Sequence, residues 1–294
     1  MPLPKSPYPR GELAGTVRRM FLGQKGPRAQ PCELILSKRS ASLHLVFVGD
    51  ILPLLFRRVA FEPDVLELFA DADLVVGNLE GVVTDRPWFP FLQKHSPDIL
   101  DALQLLAPLP RWILNLANNH AGDYGPLDFS RTAALIDRRG ARFVGTTEKP
   151  RLILAPNVTL TSWTEWSNHP APWVQTHNPG APESPDLHIA YPHFGHEFER
   201  EPRPDRGPPD GYELVVGHHP HFPQPIMRRR NQLVAWSLGN FLTEVRLPTM
   251  GEGLVARVGI ATDGHAAVTS CRAMPIFIDR SKENVVVVRL SPMR

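Results

Sequence analysis

The chain has 294 residues, a length that fits one large α/β domain or two smaller ones. Its hydrophobic content of 42% is enough for a sizeable core, and its formal net charge of +2 gives no general reason to expect a nucleic-acid partner. The two cysteines, Cys32 and Cys271, form no C-x-x-C pair, so we do not expect a thiolate zinc site. The N-terminus has no secretory h-region, and no apolar run approaches the roughly 20 residues of a membrane span. We therefore expect a cytoplasmic protein.

The first 40 residues differ in character from the rest of the chain. They are rich in Pro, Gly, Lys and Arg and have little periodicity, except for a short apolar run at residues 32–36. We interpret residues 1–40 as a partly irregular extension with one short strand, and residues 41–294 as the main domain.

Strand and helix patterns alternate between residues 43 and 145. Buried strands are predicted at residues 43–48, 74–76, 112–116 and 143–145. Amphipathic helices are predicted at residues 61–72, 97–106 and 127–139, and Gly140 closes the last of these at the usual C′ position. This alternation favours parallel βαβ units.

Strands predominate after Pro150, and no convincing helix lies between them. They are predicted at residues 152–154, 158–163, 188–191, 214–216, 233–237, 253–260, 266–271 and 285–290. The prolines of residues 167–186 and 199–211 indicate loops, because proline does not fit a regular helix interior.

The most informative stretch is ELVVGHHPH at residues 213–221. A short apolar strand stops at Gly217, which allows a sharp turn or a close approach of the backbone to another group. Imidazoles then follow at the carboxyl end of the strand, where open α/β sheets bind their ligands. The same arrangement recurs at the other strands, whose following polar residues are Asp50; Asn78 and Glu80; Asn119 and His120; His193; and His218, His219 and His221.

These side chains can meet in space, because the ends of parallel strands converge on one edge of a sheet. Carboxylates, an amide oxygen and imidazoles without a thiolate suit Mn²⁺, Fe or Zn²⁺. Most ligand positions of two divalent transition-metal ions can be supplied by Asp50, Glu80, Asn119, His193, His219 and His221. A pair of such ions can activate water and stabilise a leaving oxygen.

The motifs GD, NLE, ANNH, HFGHE, GHHPH and SLGNF occur here in an order that resembles the bacterial capsule-synthesis CapA (PGA_cap) family. That family belongs to the calcineurin-like metallophosphoesterase superfamily, and the resemblance covers roughly residues 43–243. It implies an α/β fold, a sandwich of two mixed β-sheets flanked by helices in the order α/β/β/α.

The resemblance also implies roles for individual residues. Asp50 would bind one metal, Glu80 would stand at the position of the bridging acid, and Asn119 would bind the second metal. His193 and the pair His219 and His221 would be further ligands, whereas His218 would be a ligand or would position one.

The catalytic histidine of the family corresponds to His120, which would protonate the leaving group. Asp123 would hold its imidazole in one tautomer. Asn78, Glu197 and Asn240 are possible metal or substrate contacts, and for Asn240 a simple turn role stays equally open.

Three features depart from the superfamily pattern. Leu52 stands where many members carry a metal-binding histidine, and Phe194 replaces the tryptophan of HWG. The helix expected between HWGxE and GHHPH has no room in the proline-rich residues 199–211, and residues 150–190 are also compressed. These differences lie beside the expected site and bear on which substrate fits.

Three functions remain open at this stage. The first is metal-dependent hydrolysis of a phosphate ester. The second is hydrolysis or transfer at an amide bond of poly-γ-glutamate or of a cell-wall peptide. The third is a non-catalytic accessory role in capsule synthesis. The expected partner is thus a phosphorylated or γ-glutamyl substrate.

Overall fold

The computed structural model describes residues 10–24, 26, 28–54, 57–184 and 186–292. Its helices are α1 (Arg10–Leu22), α2 (Pro63–Glu67), α3 (Asp98–Gln104) and α4 (Gly125–Arg138). Short 3₁₀ turns lie at Leu109–Arg111 and Pro248–Met250. The first nine strands are β1 (Cys32–Ile35), β2 (Leu43–Ile51), β3 (Arg58–Phe61), β4 (Leu74–Leu79), β5 (Val82–Val83), β6 (Lys94–His95), β7 (Trp112–Asn115), β8 (Arg142–Val144) and β9 (Arg151–Ala155). The remaining strands are β10 (Val158–Thr161), β11 (Leu187–Ala190), β12 (Leu214–Val216), β13 (Ile226–Arg229), β14 (Gln232–Ala235), β15 (Asn240–Leu242), β16 (Glu252–Ala261), β17 (Ala267–Asp279) and β18 (Val285–Leu290).

Two large sheets contain all of these strands except β5 and β6, which pair with each other. The first runs in the order β3-β18-β17-β16-β2-β4-β7-β8, with β1 paired to β17 and β15 paired to β2. Its half formed by β2, β4, β7 and β8 is parallel, whereas β16 and β17 are antiparallel to their neighbours. The second sheet runs β13-β14-β12-β11-β10-β9, with a parallel centre and an antiparallel strand at each edge.

Alternation along β2 shows how the layers pack. Leu45 and Phe47 point into the apolar layer between the two sheets, together with Ile189 and Val216 of the second sheet. Val46 and Val48 point to the opposite face, which is covered by residues of α2, α3 and α4. The fold is therefore the two-sheet α/β sandwich that the sequence predicts.

The outer face of the second sheet is covered differently. Trp163, Phe194, Tyr212 and Trp236 pack there as a separate apolar cluster. The structure describes all of residues 199–211 and contains no helix in them, as their prolines predict. Arg206 from this segment lies over the ring of Phe194, 5.5 Å from its centroid.

Several sequence-based boundaries need correction. The helix predicted at residues 61–72 is regular only over Pro63–Glu67, because the following residues form i→i−3 turns up to Ala72. Helix α1 was not predicted from the sequence, and most of its large apolar side chains, including Leu13, Val17 and Phe21, are exposed. Within the predicted extension, residues 1–9 lie outside the described part of the chain, and the division at residue 40 stays a prediction.

Among the described residues, no helix combines the length and apolar character that crossing a membrane requires.

Candidate metal centre

The polar clusters that follow the strands converge at one edge of the sandwich. Asp50 and Asn78 pair across β2 and β4, and the side-chain amide of Asn78 donates to Asp50 Oδ1 at 2.8 Å. From the second sheet, the His218 ring donates from Nδ1 to the same oxygen at 3.0 Å. Both sheets of the sandwich thus deliver side chains to one buried carboxylate.

Close packing of backbone makes this convergence possible. A side chain at Gly217 would place its Cβ 2.3 Å from the carbonyl oxygen of Trp236 and 2.1 Å from Phe194. Only glycine therefore fits at the end of β12, where the chain approaches its neighbours as the sequence suggests. Beyond it, His219 and His221 adopt positive φ values of 106° and 59°. Such conformations are unfavourable for residues with a Cβ and concentrate at functional sites.

Among the residues that the structure describes, two groups of side chains have the geometry to hold a metal ion. The first is Asp50, His193 and His218, and the second is Asp50, Glu80 and His221. Within each group, one ligand atom per residue lies within 4.8 Å of the others, and all five residues are buried. Asp50 is common to both groups, and it is the one residue that they share.

Unpaired polar atoms indicate that a cation fits here. Both carboxylate oxygens of Glu80 and the Nε2 of His218 are buried, and they have no hydrogen-bond partner among the described residues. Buried polar atoms in folded proteins are nearly always paired, so such atoms in one pocket call for a ligand. Carboxylate and imidazole donors of this kind match divalent transition metals.

The electrostatics of the carboxylates support the same interpretation. Burial and the nearby Asp50 raise the pKa of Glu80, which a cation would reverse. Burial by itself raises the pKa of Asp50, but hydrogen bonds from His218 and His221 outweigh it and hold that pKa well below its usual range. These contacts favour the charged form of Asp50 and disfavour that of Glu80, and a nearby cation would favour both charged forms.

Two of the candidate ligand histidines are held in the neutral state that metal binding requires, whereas the nearby carboxylates of Glu80 and Asp50 outweigh burial and raise the pKa of His221 to about 10. Burial and neighbouring imidazoles lower the pKa values of His193 and His219 well below the usual range. The Nε2 of His193 donates to Asn119 Oδ1 at 2.9 Å, which leaves its Nδ1 as an acceptor, 2.9 Å from His218 Nδ1 and 3.7 Å from Asp50 Oδ1. His219 belongs to neither group, although the centroid of its ring lies 4.3 Å from that of His193.

Asn240 orients the imidazole of His221. The sequence left open whether Asn240 contacts the site or only forms a turn. Asn240 donates its Nδ2 to the carbonyl of Met250, so its Oδ1 is the atom that accepts from His221 Nδ1 at 2.9 Å. The Nε2 of His221 consequently faces the carboxylates of Glu80 and Glu197, at 4.0 and 3.9 Å. An outer hydrogen bond of this type fixes the tautomer of a metal-binding imidazole.

His120 and Asp123 form a separate pair at the rim of the pocket. The Nδ1 of His120 donates to Asp123 Oδ2 at 2.7 Å, and the backbone N–H of Gln93 donates to the same oxygen at 2.7 Å. Burial alone lowers the pKa of His120, but the charges of Asp123 and Glu80 outweigh it and raise that pKa. The other ring nitrogen, Nε2, lies 3.9 Å from Glu80 Oε1 and therefore faces the pocket.

Several residues near the site were not expected from the sequence. Asn118 donates to the carbonyl of Leu79 and accepts from the backbone N–H groups of Gly81 and His120. His95 is fully buried, and its Nε2 donates to the carbonyl of Glu80 at 2.9 Å. Asn118 is adjacent to predicted residues in ANNH, so the motif contained a signal for it. For His95, no local pattern distinguishes it from an ordinary buried histidine.

Comparison with known proteins adds independent findings. The family model described as "Bacterial capsule synthesis protein PGA_cap" matches residues 44–162 and 175–245, together more than half of the chain. All of the site residues predicted from the sequence lie in these two stretches. The "PGA biosynthesis protein CapA" of Bacillus subtilis (strain 168) is 25% identical in an alignment of 206 positions, which covers 60% of this chain and 54% of the relative. The chain thus spans about half the length of the curated relative it matches.

Proposed function

This chain belongs to the bacterial capsule synthesis protein PGA_cap family, and we propose that it is a metal-dependent hydrolase with two divalent ions that acts on a phosphate ester. The observation that supports this most is the position of Asp50, whose buried carboxylate is shared by two potential ligand groups. A shared carboxylate is the usual means of keeping two ions close enough to act on one substrate.

The chain's own residues divide the work as follows. Asp50, Glu80, His193, His218 and His221 would hold the ions, with Asn119 and His219 next to them. When bound, Mn²⁺, Fe or Zn²⁺ supplies Lewis-acid activation of water and neutralises charge on the phosphoryl oxygens. Asn240 holds His221 in the tautomer that directs Nε2 to the pocket.

His120 is the general acid of the proposal. Its Nδ1 is engaged by Asp123, so Nε2 is the nitrogen that can deliver a proton to the leaving oxygen. The raised pKa of His120 keeps that proton available near neutral pH. Asp123 touches no reacting atom in this scheme and acts by orienting the ring.

A second chemistry has support from one of the comparisons. The B. subtilis relative is named a PGA biosynthesis protein, which fits the alternative of hydrolysis or transfer at a γ-glutamyl amide bond. The same pocket can polarise a carbonyl, and His120 can protonate an amine as it can an alcohol. The accessory role without catalysis stays the third prediction.

A substrate panel separates these functions. Chelator-treated protein is tested on alkyl phosphates, nitrophenyl phosphates and γ-glutamyl peptides, with and without Mn²⁺, Fe²⁺ or Zn²⁺. We expect metal-dependent release of phosphate and no cleavage of the peptides. Cleavage of the peptides alone would establish the amide chemistry, and inactivity on both classes with metal bound would favour the accessory role.

A further inference from the structure

A six-residue segment, residues 164–169, crosses the rim of the pocket from one sheet to the other. On the side of the second sheet, the N–H of Glu165 donates to the carbonyl of His193 at 3.1 Å, and Trp166 Nε1 donates to Gly195 at 2.6 Å. On the other side, the N–H of Asn168 donates to the carbonyl of Asn119 at 2.9 Å. The segment is thus fixed to two motif loops, yet it falls between the two stretches that the family model matches.

Asn168 lies against the imidazole of His120. Its Nδ2 is 3.4 Å from Nδ1 and 3.3 Å from Nε2 of that ring. An atom equally close to both nitrogens in the ring plane would overlap the carbon between them, so the amide must stand over the ring face. Asp123 therefore contacts the Nδ1 edge of the imidazole, and Asn168 contacts its face. Neither contact blocks the direction in the ring plane along which Nε2 faces the pocket.

The other end of the same amide has no partner. Asn168 Oδ1 is buried and accepts no hydrogen bond from any described residue. A buried acceptor left unpaired is unfavourable, which indicates that a donor belongs there. Oδ1 and Nδ2 are bonded to the same carbon, and Nδ2 lies against the His120 ring. A group that donates to Oδ1 would therefore lie within a few bonds of the leaving oxygen that His120 protonates.

We infer that Asn168 is a specificity residue: its Nδ2 positions His120, and its Oδ1 accepts a hydrogen bond from a hydroxyl on the leaving alcohol of the substrate. This inference rests on the proposed phosphate-ester function and narrows it to esters of polyols. Esters whose alcohol carries no second hydroxyl leave Oδ1 unpaired and bind less well.

Two matched pairs of small molecules test the recognition. The first pair, 2-hydroxyethyl phosphate and ethyl phosphate, differs by one hydroxyl and reports kcat/KM. The second pair, 3-hydroxypropylphosphonate and propylphosphonate, replaces the scissile oxygen by a methylene and reports Kd without turnover. We expect the zinc-loaded full chain to prefer the hydroxylated member of each pair by about three- to tenfold, the range of one hydrogen bond.

Variants assign that preference to Asn168. Asn168→Ala should abolish it, whereas Asn168→Asp, which keeps an oxygen acceptor, should retain it. The control is Asn157→Ala, which removes a half-buried amide that bonds Gly264 in a turn distant from the site. The NMR signals of the His120 ring, assigned with His120→Ala, should move in Asn168→Ala and stay in place in Asn157→Ala.

The outcomes separate the two proposals. Preference for the hydroxylated phosphonate without turnover of any ester would contradict the proposed function and leave the role of Asn168 standing. Equal binding of both phosphonates, binding of neither, or a preference that survives in Asn168→Ala would overturn the inference. Unmoved His120 signals in Asn168→Ala would overturn the positioning role.

Discussion

The Nδ1 of His221 lies 2.9 Å from the Oδ1 of Asn240, and this contact determines which nitrogen of His221 faces the pocket. The two residues are 19 positions apart: His221 lies in the loop after β12 of the second sheet, whereas Asn240 is the first residue of β15, which pairs with β2 of the first sheet. The hydrogen bond therefore links the sheets at the point where the candidate ligands meet.

Replacing Asn240 by Ala should weaken metal binding without removing a ligand. Loss of an outer hydrogen bond to a metal-binding histidine typically reduces metal affinity by about 10- to 100-fold. Competition with a fluorescent chelator measures the change, and Asn231→Ala, in an exposed turn, is the matched control. Equal affinity in both variants would show that Asn240 only forms the turn.

Asp50 and His193 should differ in how many ions their loss removes. Asp50→Ala disrupts both ligand groups, so the purified variant should retain almost no metal. His193→Ala disrupts one group and should retain about one ion, held by Asp50, Glu80 and His221. Elemental analysis of the metal content of each purified variant tests this, with Glu201→Ala, which replaces an exposed acid, as the control. If Asp50→Ala and His193→Ala retained the same amount of metal, Asp50 would not be a ligand of both ions.

His120→Ala should lower turnover by about 10²- to 10⁴-fold while both ions stay bound. The loss should be smaller for a nitrophenyl ester than for an alkyl ester, because a nitrophenolate leaves without a proton. Asp123→Asn should show a weaker form of the same pattern, since it acts through the imidazole. Rate measurements combined with metal analysis test this. If His120→Ala loses a metal ion, His120 is a ligand and His218 becomes the next candidate for the acid.

His95 should make the metal-free protein sensitive to acid. Burial lowers the pKa of His95 to about 4, against about 6.5 in an unfolded chain. The unfolded state therefore binds the proton first, and stability that is present above about pH 6.5 is lost as the pH falls toward 4.

Urea unfolding at about pH 7.5 and about pH 5 measures this effect, which should reach about 2 kcal/mol. His95→Gln keeps a donor for the Glu80 carbonyl and should lose less stability over this interval than the wild type. Exposed His265→Gln should behave like the wild type. An equal loss in wild type and His95→Gln would show that the pKa of His95 is not depressed.

Much of the fold was predictable because the apolar residues that form the strands occur in regular runs along the sequence. The apolar runs that became β2, β4, β7 and β12 are buried, and a Gly, Asn or Asp lies at or near the carboxyl end of each strand. Parallel strands then place their ends on one edge, so the meeting of Asp50, Glu80 and the histidines followed from topology alone. The two-sheet sandwich and the family resemblance are both confirmed.

What the sequence did not predict depends on backbone conformation and on distant contacts. His218 belongs to a ligand group and His219 does not, and nothing in the local sequence GHHPH distinguishes these two adjacent histidines. Asn168 lies in a proline-rich stretch without periodicity, and only the folded chain brings it to His120 across 48 residues. Asp50, expected as the ligand of one ion, is common to both groups because His218 and His221 approach it from the second sheet.

The most direct test of a two-ion hydrolase is a titration of activity with metal. Chelator-treated wild-type protein is mixed with increasing equivalents of Mn²⁺, and hydrolysis of nitrophenyl phosphate is followed at each step. We expect negligible activity without metal and a rise that reaches its plateau at about two equivalents, with Asp50→Ala inactive throughout. Activity that survives complete removal of metal, or that reaches its plateau at about one equivalent, would contradict it.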